Sequence, residues 1–312
     1  MPERLVLASR RLNIPTSSVS RKLPALTLVL AALACSTLAS IPGCQQGPAT
    51  VQAQLGEARR LSADLRVQFS RAADASNRAV MADTDQASLA FAHEAEDTLK
   101  LVEQDVTALN TLTHSLGVAD EVQILERFQK QFADYRVVDN NVLALAVENT
   151  NLKAQQLSFG PAREAADRFK AALAQLPPSL AAKDRCRAEE LVASAVLNVR
   201  ELQTLQGPHI ASSDDAAMTA MEQQLAALES KTAAALSALA NLADASSLGA
   251  AQTAFEQFKT IGQQIVTLSR RNSNVRSLDL SLRVKPPLAN ACEESARALQ
   301  NALANEGSKA TR

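Results

Sequence analysis

Residues 128–159 read FQKQFADYRVVDNNVLALAVENTNLKAQQLSF, and their apolar and amide side chains recur at alternating steps of three and four residues. This spacing is typical of a helix that packs along one stripe. The stripe consists of Phe128, Gln131, Tyr135, Val138, Val142, Leu145, Asn149, Leu152, Gln156 and Phe159. The segment therefore predicts a long core helix, from about Ala119, that continues to Phe159.

The stripe returns in residues 251–282, where each position lies 123 residues after its match and no gap is needed. The shared register pairs Phe132 with Phe255 and Asn149 with Asn272. Duplication of a four-helix unit explains such a gapless repeat. The alternative is that any two Ala/Leu-rich helices resemble each other, but it does not explain the matched aromatic and asparagine positions.

The composition around this stripe indicates an all-α protein. The chain has 312 residues, no Trp, one Tyr, eight Phe and nine Gly, and helix-favouring residues dominate it. The β-branched runs that a sheet needs are missing from the sequence. With so few aromatic residues, the core must consist mainly of Leu, Val and Ala, and long helices must compensate for the small area that each residue buries.

Glycine and proline positions predict two tandem antiparallel bundles, at residues 51–178 and 179–306. The third helix of each unit is expected to end at Gly160–Pro161 and at Lys285–Pro286–Pro287, and the first helix of the second unit at Gly207–Pro208. Each unit would then run up-down-up-down with its own fourth helix. A polar tether at 45–50 precedes the units and a polar tail at 307–312 follows them.

Residues 1–44 are predicted to be a targeting segment, a signal peptide, rather than part of the folded domain. A basic front is followed by the apolar run 23–38, which is short of the roughly 20 residues of a spanning helix. Ile41-Pro42-Gly43-Cys44 resembles a bacterial lipobox, in which Cys44 would be lipidated, although Pro42 is unusual there; Cys35 is a poorer second candidate. An uncleaved membrane anchor and a soluble secreted product remain open alternatives. All three place the rest of the chain outside the cytoplasm, and we expect it in the bacterial cell envelope, anchored to the membrane and facing the periplasm or the exterior.

Charge argues against nucleic acid as a partner. The full chain carries 32 basic and 33 acidic residues, and removal of the basic leader leaves 27 and 32. An acidic chain without a basic face is a poor nucleic-acid binder.

Residues 132–169, FADYRVVDNNVLALAVENTNLKAQQLSFGPAREAADRF, resemble the four-helix-bundle ligand-binding domain of bacterial chemoreceptors and sensor kinases. The resemblance implies a bundle outside the cytoplasmic membrane that binds small molecules between its helices. In that family the signal leaves through a second spanning helix. This sequence shows no second apolar run after Cys44, so we expect any signal to pass through a separate partner.

Two polar positions on the stripe, Asn149 and Asn272, are the first candidate site. They have two readings: a polar layer that sets helix register, or a polar pocket between helices, joined by Gln156 and Asp279. Arg270, Arg271 and Arg276 surround Asn272 in sequence, and their guanidinium groups could receive a carboxylate ligand. A binding module should keep a water-accessible cavity at these residues, whereas a spacer should pack or expose them.

Catalytic signatures are weak, and we expect neither an enzyme nor a cofactor or metal. His93, His114 and His209 are scattered, and we interpret them as solvated helix residues. Cys186 and Cys292 are expected at opposite ends of the second unit, which predicts no bridge between them.

The sequence as a whole predicts a non-catalytic exported helical bundle that binds a small-molecule ligand or an envelope protein, anchored to the membrane by an N-terminal lipid or helix. The alternative is a structural spacer or scaffold lipoprotein of the envelope. A homodimer is a further arrangement that the sequence allows.

Overall fold

The computed structural model describes residues 48–243 and 245–310, and over these ranges the chain forms helices joined by short turns, without strands. The helices are α1 (Pro48–Met81), α2 (Asp85–Leu116), α3 (Ala119–Glu148), α4 (Thr150–Leu157), α5 (Arg163–Ala174), α6 (Leu176–Ser179), α7 (Ala182–Ala211), α8 (Asp215–Ala240), α9 (Ala245–Arg271), α10 (Ser273–Asp279) and α11 (Lys285–Ala310). Two π-helical segments, Ser158–Ala162 and Leu280–Val284, join α4 to α5 and α10 to α11. The predicted all-α class is confirmed. The leader, its apolar run, Cys35 and Cys44 lie outside the described residues.

The helix ends follow the local sequence at several predicted places. The Thr84 hydroxyl accepts a hydrogen bond from the Ala87 amide at 3.1 Å and caps α2. Gly117 ends α2 with φ 68°, a left-handed conformation that glycine adopts without steric cost. Asp214 caps α8 by accepting from the Ala216 amide at 2.8 Å. These caps position the turns between antiparallel helices.

The helices form two bundles, and each bundle takes one helix from the other half of the chain. Bundle one contains α1, α2, α3 and α11, and bundle two contains α7, α8, α9 and α5. The Arg66 guanidinium of α1 donates to Gln300 of α11 at 2.7 Å, and Phe169 of α5 packs against Phe255 of α9. The expectation that each unit supplies its own fourth helix is therefore wrong, because α4–α5 and α10–α11 cross over. The limits 51–178 and 179–306 remain a prediction about the repeat.

The bundle cores differ in the side chains that fill them. Bundle one buries an aromatic cluster in which Phe69 makes edge-on contacts with Phe128, Phe132 and Tyr135. Bundle two is mainly aliphatic around the Phe169–Phe255 pair. Members of both stripes lie in these cores, Phe128 and Tyr135 in bundle one and Phe258 and Ile265 in bundle two.

Proline does not end the helices where the sequence predicted. The expected breaks at Gly160–Pro161 and at Lys285–Pro286–Pro287 are wrong, because π-helical segments carry the chain past them. A π turn changes the hydrogen-bond spacing, so the proline ring avoids the carbonyl with which it would clash in an α-helix. Gly207 and Pro208 likewise lie inside α7, which continues to Ala211.

The stripe itself is interrupted and does not stay buried to its end. α3 ends at Glu148 rather than at Phe159, and α9 ends at the matching position, Arg271. The last members of the two stripes are largely exposed, Phe159 at 74% and Leu282 at 67%. Both halves therefore depart from the predicted straight helix at corresponding residues.

No helix among the described residues combines the length and the apolar composition that crossing a membrane requires. Cys186 is exposed on α7 and Cys292 is buried on α11, and both are free thiols.

Candidate functional site

Asn149 and Asn272 are the hinge residues at which the helices change direction. Their backbones are left-handed, with φ 50° and 52°, and they are the two non-glycine residues with positive φ in the described ranges. Asparagine tolerates this conformation better than other residues with a Cβ. The repeat therefore contains a built-in bend at the same position in each half.

Hydrogen bonds between the halves fasten this junction almost symmetrically. The Thr150 amide donates to the Ser273 hydroxyl at 3.0 Å, and the Ser273 amide donates to the Thr150 hydroxyl at 3.0 Å. One residue further on, the Asn151 and Asn274 amides donate to each other's side-chain oxygens at 3.1 and 3.2 Å. The free N–H groups that begin α4 and α10 are thus capped by the opposite half. Each of these bonds joins residues 123 positions apart, and each has a reciprocal counterpart.

The hinge asparagines take part in the same network. The Asn149 side-chain oxygen accepts from Asn274 at 2.8 Å, and the Asn272 oxygen accepts from Asn151 at 2.7 Å. The Asn272 amide also donates to the Ser212 carbonyl at 2.8 Å, whereas the buried Nδ2 of Asn149 has no acceptor among the described residues. Both asparagines are buried, which fits the polar layer that the sequence suggested as one reading.

A groove of about 730 Å³ opens beside Asn272, and it brings together four of the predicted site residues. Arg270, Asn272, Arg276 and Asp279 line it. Asp279 is exposed and pairs with Arg283 at 2.9 Å, so it does not extend a buried pocket as expected. Gln156 is exposed on α4. The structure therefore places the polar cavity on the Asn272 side.

Two of the three predicted arginines already have carboxylate partners. Nε of Arg270 donates to Glu222 at 2.6 Å, and Nε of Arg271 donates to Glu148 across the junction at 2.7 Å. Hydrogen bonding to these carboxylates raises the pKa of both guanidinium groups and lowers the pKa of both carboxyl groups. Arg276 is exposed and has no ion pair with a described residue, which leaves it available to a ligand.

His209 extends the Arg270–Glu222 pair into bundle two, where its side chain is buried and not solvated as the sequence predicted. Only 1% of His209 is exposed, so its interpretation as a solvated residue is wrong. Its Nε2 lies 2.9 Å from a Glu222 carboxylate oxygen, and its Nδ1 is buried without a partner. The spacing of Leu202, Gln206 and His209, at steps of four and three, is the sequence signal that indicates a buried face of α7.

A second buried polar group lies in bundle one. The Asp139 carboxylate accepts from Ser76 at 2.6 Å and from the Tyr135 hydroxyl at 3.3 Å, and Lys285 Nζ lies 3.5 Å away. Lys285 belongs to α11 and thus reaches Asp139 from the other half of the sequence. Burial lowers the pKa of the Lys285 ammonium although the Asp139 carboxylate opposes this shift. The group acts as a buried polar link between exchanged helices.

Nowhere among the described residues do three or more His, Cys, Asp or Glu side chains converge in a way that could hold a metal ion.

Comparison with known proteins agrees with this architecture. No curated protein matches the chain. A family model described as a four helix bundle sensory module for signal transduction matches residues 70–177, from within α1 to α6. In this chain the matched segment places α2 and α3 in bundle one and α5 in bundle two. Residues 70–177 are thus similar to a four helix bundle sensory module for signal transduction, the class of domain that the resemblance named.

Proposed function

We propose that the chain is a non-catalytic, exported sensory module that binds a small-molecule ligand or an envelope protein. The match of residues 70–177 to a sensory module supports a sensory role. The observation that carries the binding proposal is the groove at Asn272, which keeps polar and charged side chains around an open volume of about 730 Å³. A spacer would have no need of such a groove.

The charges of this groove favour an anion. Its lining has three arginines (Arg270, Arg276 and Arg283) and two aspartates (Asp215 and Asp279), which gives a net charge of +1. Arg276 is the arginine without a carboxylate partner among the described residues. Because guanidinium groups match carboxylates in geometry, a small organic acid is the ligand class that this lining supports.

The position of the groove suggests how binding would be transmitted. α9 becomes α10 at Asn272, and the same chain continues through a π segment into α11 of bundle one. A ligand that prefers one geometry of this hinge would shift the population of hinge geometries by its difference in affinity. We propose that a separate envelope partner reads this shift.

The test is a thermal-shift screen of organic acids against the full chain, with two matched variants. A ligand raises the unfolding temperature by binding the folded state. The shift should disappear in Arg276→Ala and persist in Arg127→Ala, which removes an exposed arginine of α3 in bundle one. An equal shift in both variants, or none with any acid, would contradict the acid site.

The second candidate function is a spacer or scaffold of the envelope. The reciprocal hydrogen bonds at residues 150–151 and 273–274 favour it, because they join the bundles firmly without a ligand. A screen without hits, together with pull-down of an envelope protein by the intact chain, would support this candidate instead.

We propose that Cys44 carries the lipid of a membrane anchor, on the strength of the lipobox-like sequence 41–44. Metabolic labelling with a fatty acid should be lost in Cys44→Ser and retained in Cys35→Ser. Retention of label in Cys44→Ser would contradict this assignment and leave the uncleaved anchor and the secreted product as the alternatives.

A further inference from the structure

A second groove, of about 350 Å³, opens inside bundle two between α7, α8 and α9. Its walls are mainly apolar and include Leu202, Leu225 and Phe258. The polar side chains that line it include His209 near the junction end and Glu229 further along α8. An apolar groove with a few placed polar groups is the usual form of a small-molecule site.

The groove exists because the two halves of the repeat differ at one layer. The register of 123 residues pairs Asp139 with Gly262 and Ala162 with Lys285. Bundle one fills this layer with the buried Asp139 and Lys285 side chains. Bundle two has glycine and alanine there, and a Cβ built at Gly262 would meet no atom within 4 Å. Bundle two thus lacks the two charged side chains that fill this layer in bundle one.

His209 presents an unused acceptor to this groove. Hydrogen bonds, first from Arg270 and then from His209, lower the pKa of Glu222, so its carboxylate is ionised and can only accept. A proton on His209 Nε2 serves this hydrogen bond, and in that neutral tautomer Nδ1 is a hydrogen-bond acceptor. Nδ1 is buried and has no hydrogen-bond partner among the described residues. An O–H or N–H of a ligand would satisfy it.

Glu229 supplies a carboxyl group to the same groove. It follows Glu222 by seven residues on α8, so the two lie about 10 Å apart along the helix axis. Burial raises the pKa of the half-buried Glu229 carboxyl, and Lys259, which partly opposes this shift, is paired with Glu256 at 3.2 Å. Glu229 has no ion pair of its own among the described residues. A ligand cation would provide one.

We propose that the bundle-two groove binds an arylalkylamine, with its ammonium at Glu229, its ring against Phe258 and Leu202, and a ring hydroxyl donating to His209 Nδ1. The proposal rests on the proposed ligand-binding function and adds a second site to it. The ligand of this second site is a cation, whereas the groove beside Asn272 is proposed to bind an anion. Glu222 connects the two sites, since it lines the bundle-two groove and pairs with Arg270 of the groove beside Asn272, here called the junction groove.

The experiment is calorimetric titration of the full chain with tyramine and with phenethylamine, which lacks the hydroxyl. Tyramine should bind about tenfold more tightly, because one hydrogen bond to a buried acceptor contributes about 1–1.5 kcal/mol. His209→Leu removes the Nδ1 acceptor, while Glu222 keeps its two hydrogen bonds from Arg270. That variant should bind both amines with equal affinity, a change in selectivity that general destabilisation would not cause.

A second pair of variants tests the location. Gly262→Leu should fill the groove and weaken binding of both amines at least tenfold, while Gly249→Leu, on the same helix and also facing open space, should leave binding unchanged. Unfolding temperatures verify that the variants are folded. Equal affinity for the two amines in the unmodified chain, undiminished binding in Gly262→Leu, or no binding at millimolar amine would overturn the proposal. Because acids are screened at the junction groove, failure here leaves the result of that screen intact.

Discussion

Replacement of Lys285 tests whether α11 truly completes bundle one. Lys285 lies in the second half of the sequence, yet its ammonium donates to Ser76 at 2.9 Å and lies 3.5 Å from Asp139, a carboxylate with no solvent exposure. Lys285→Met removes the only cation beside Asp139 in the described structure. Breaking a buried ion pair by removing one partner costs about 3–5 kcal/mol, because the remaining charge is buried without compensation.

The assay is urea denaturation of the full chain followed by helical circular dichroism. A loss of 3–5 kcal/mol should lower the midpoint by about 1 M or more. The matched control is Lys170→Met, which removes an exposed lysine from α5, the helix that corresponds to α11 in bundle two. This control should change the free energy of unfolding by less than about 0.5 kcal/mol.

The double variant Asp139→Leu/Lys285→Met separates loss of pairing from loss of packing. Because burial already opposes the charge on Lys285, as its lowered pKa indicates, apolar replacement of both partners should restore stability to near that of the original chain or above it. The coupling in this mutant cycle should be at least about 2 kcal/mol. A cost for Lys285→Met as small as that for Lys170→Met would refute the exchange of α5 and α11.

Three further changes test other parts of the fold. Gly262→Ala and Gly249→Ala should each stabilise the chain by about 0.5–1 kcal/mol in urea denaturation. Both glycines lie within α9, and an added Cβ would meet no atom within 4 Å. A lower free energy of unfolding in either variant would contradict the open space around these glycines. Asn151→Ala should cost about 2–3 kcal/mol in the same assay, because its buried amide makes three hydrogen bonds, whereas Asn141→Ala, at an exposed position, should cost less than about 0.5 kcal/mol. In acid titration followed by circular dichroism, the original chain should lose more stability below about pH 4 than Glu222→Gln does. The pKa of Glu222 is lower in the folded state than in the unfolded state. The stabilisation that its carboxylate provides above the unfolded pKa is therefore lost as the pH falls through the folded pKa. Parallel acid curves for the two proteins would contradict this assignment.

Much of the candidate site could be found from sequence because it lies on the stripe. Asn149 and Asn272 attract attention as amides at core positions, and both are buried at the junction. His209 and Glu222 could not be paired from sequence, because they lie on different helices and meet only when α7 and α8 pack. Gln156 and Asp279 follow the stripe in sequence but are exposed, because the left-handed hinges rotate α4 and α10 out of the predicted register.

The sequence by itself determined the all-α class and the two matching core stripes, since helix periodicity is a local property that each segment carries whatever its neighbours do. It also indicated the sensory family through residues 132–169, within the segment that the family model matches. Only the tertiary structure decided which bundle each fourth helix joins, because an apolar face on a helix does not by itself select its partner. The choice depends on two hinge conformations and on long-range contacts such as that between Lys285 and Asp139, which no local pattern encodes.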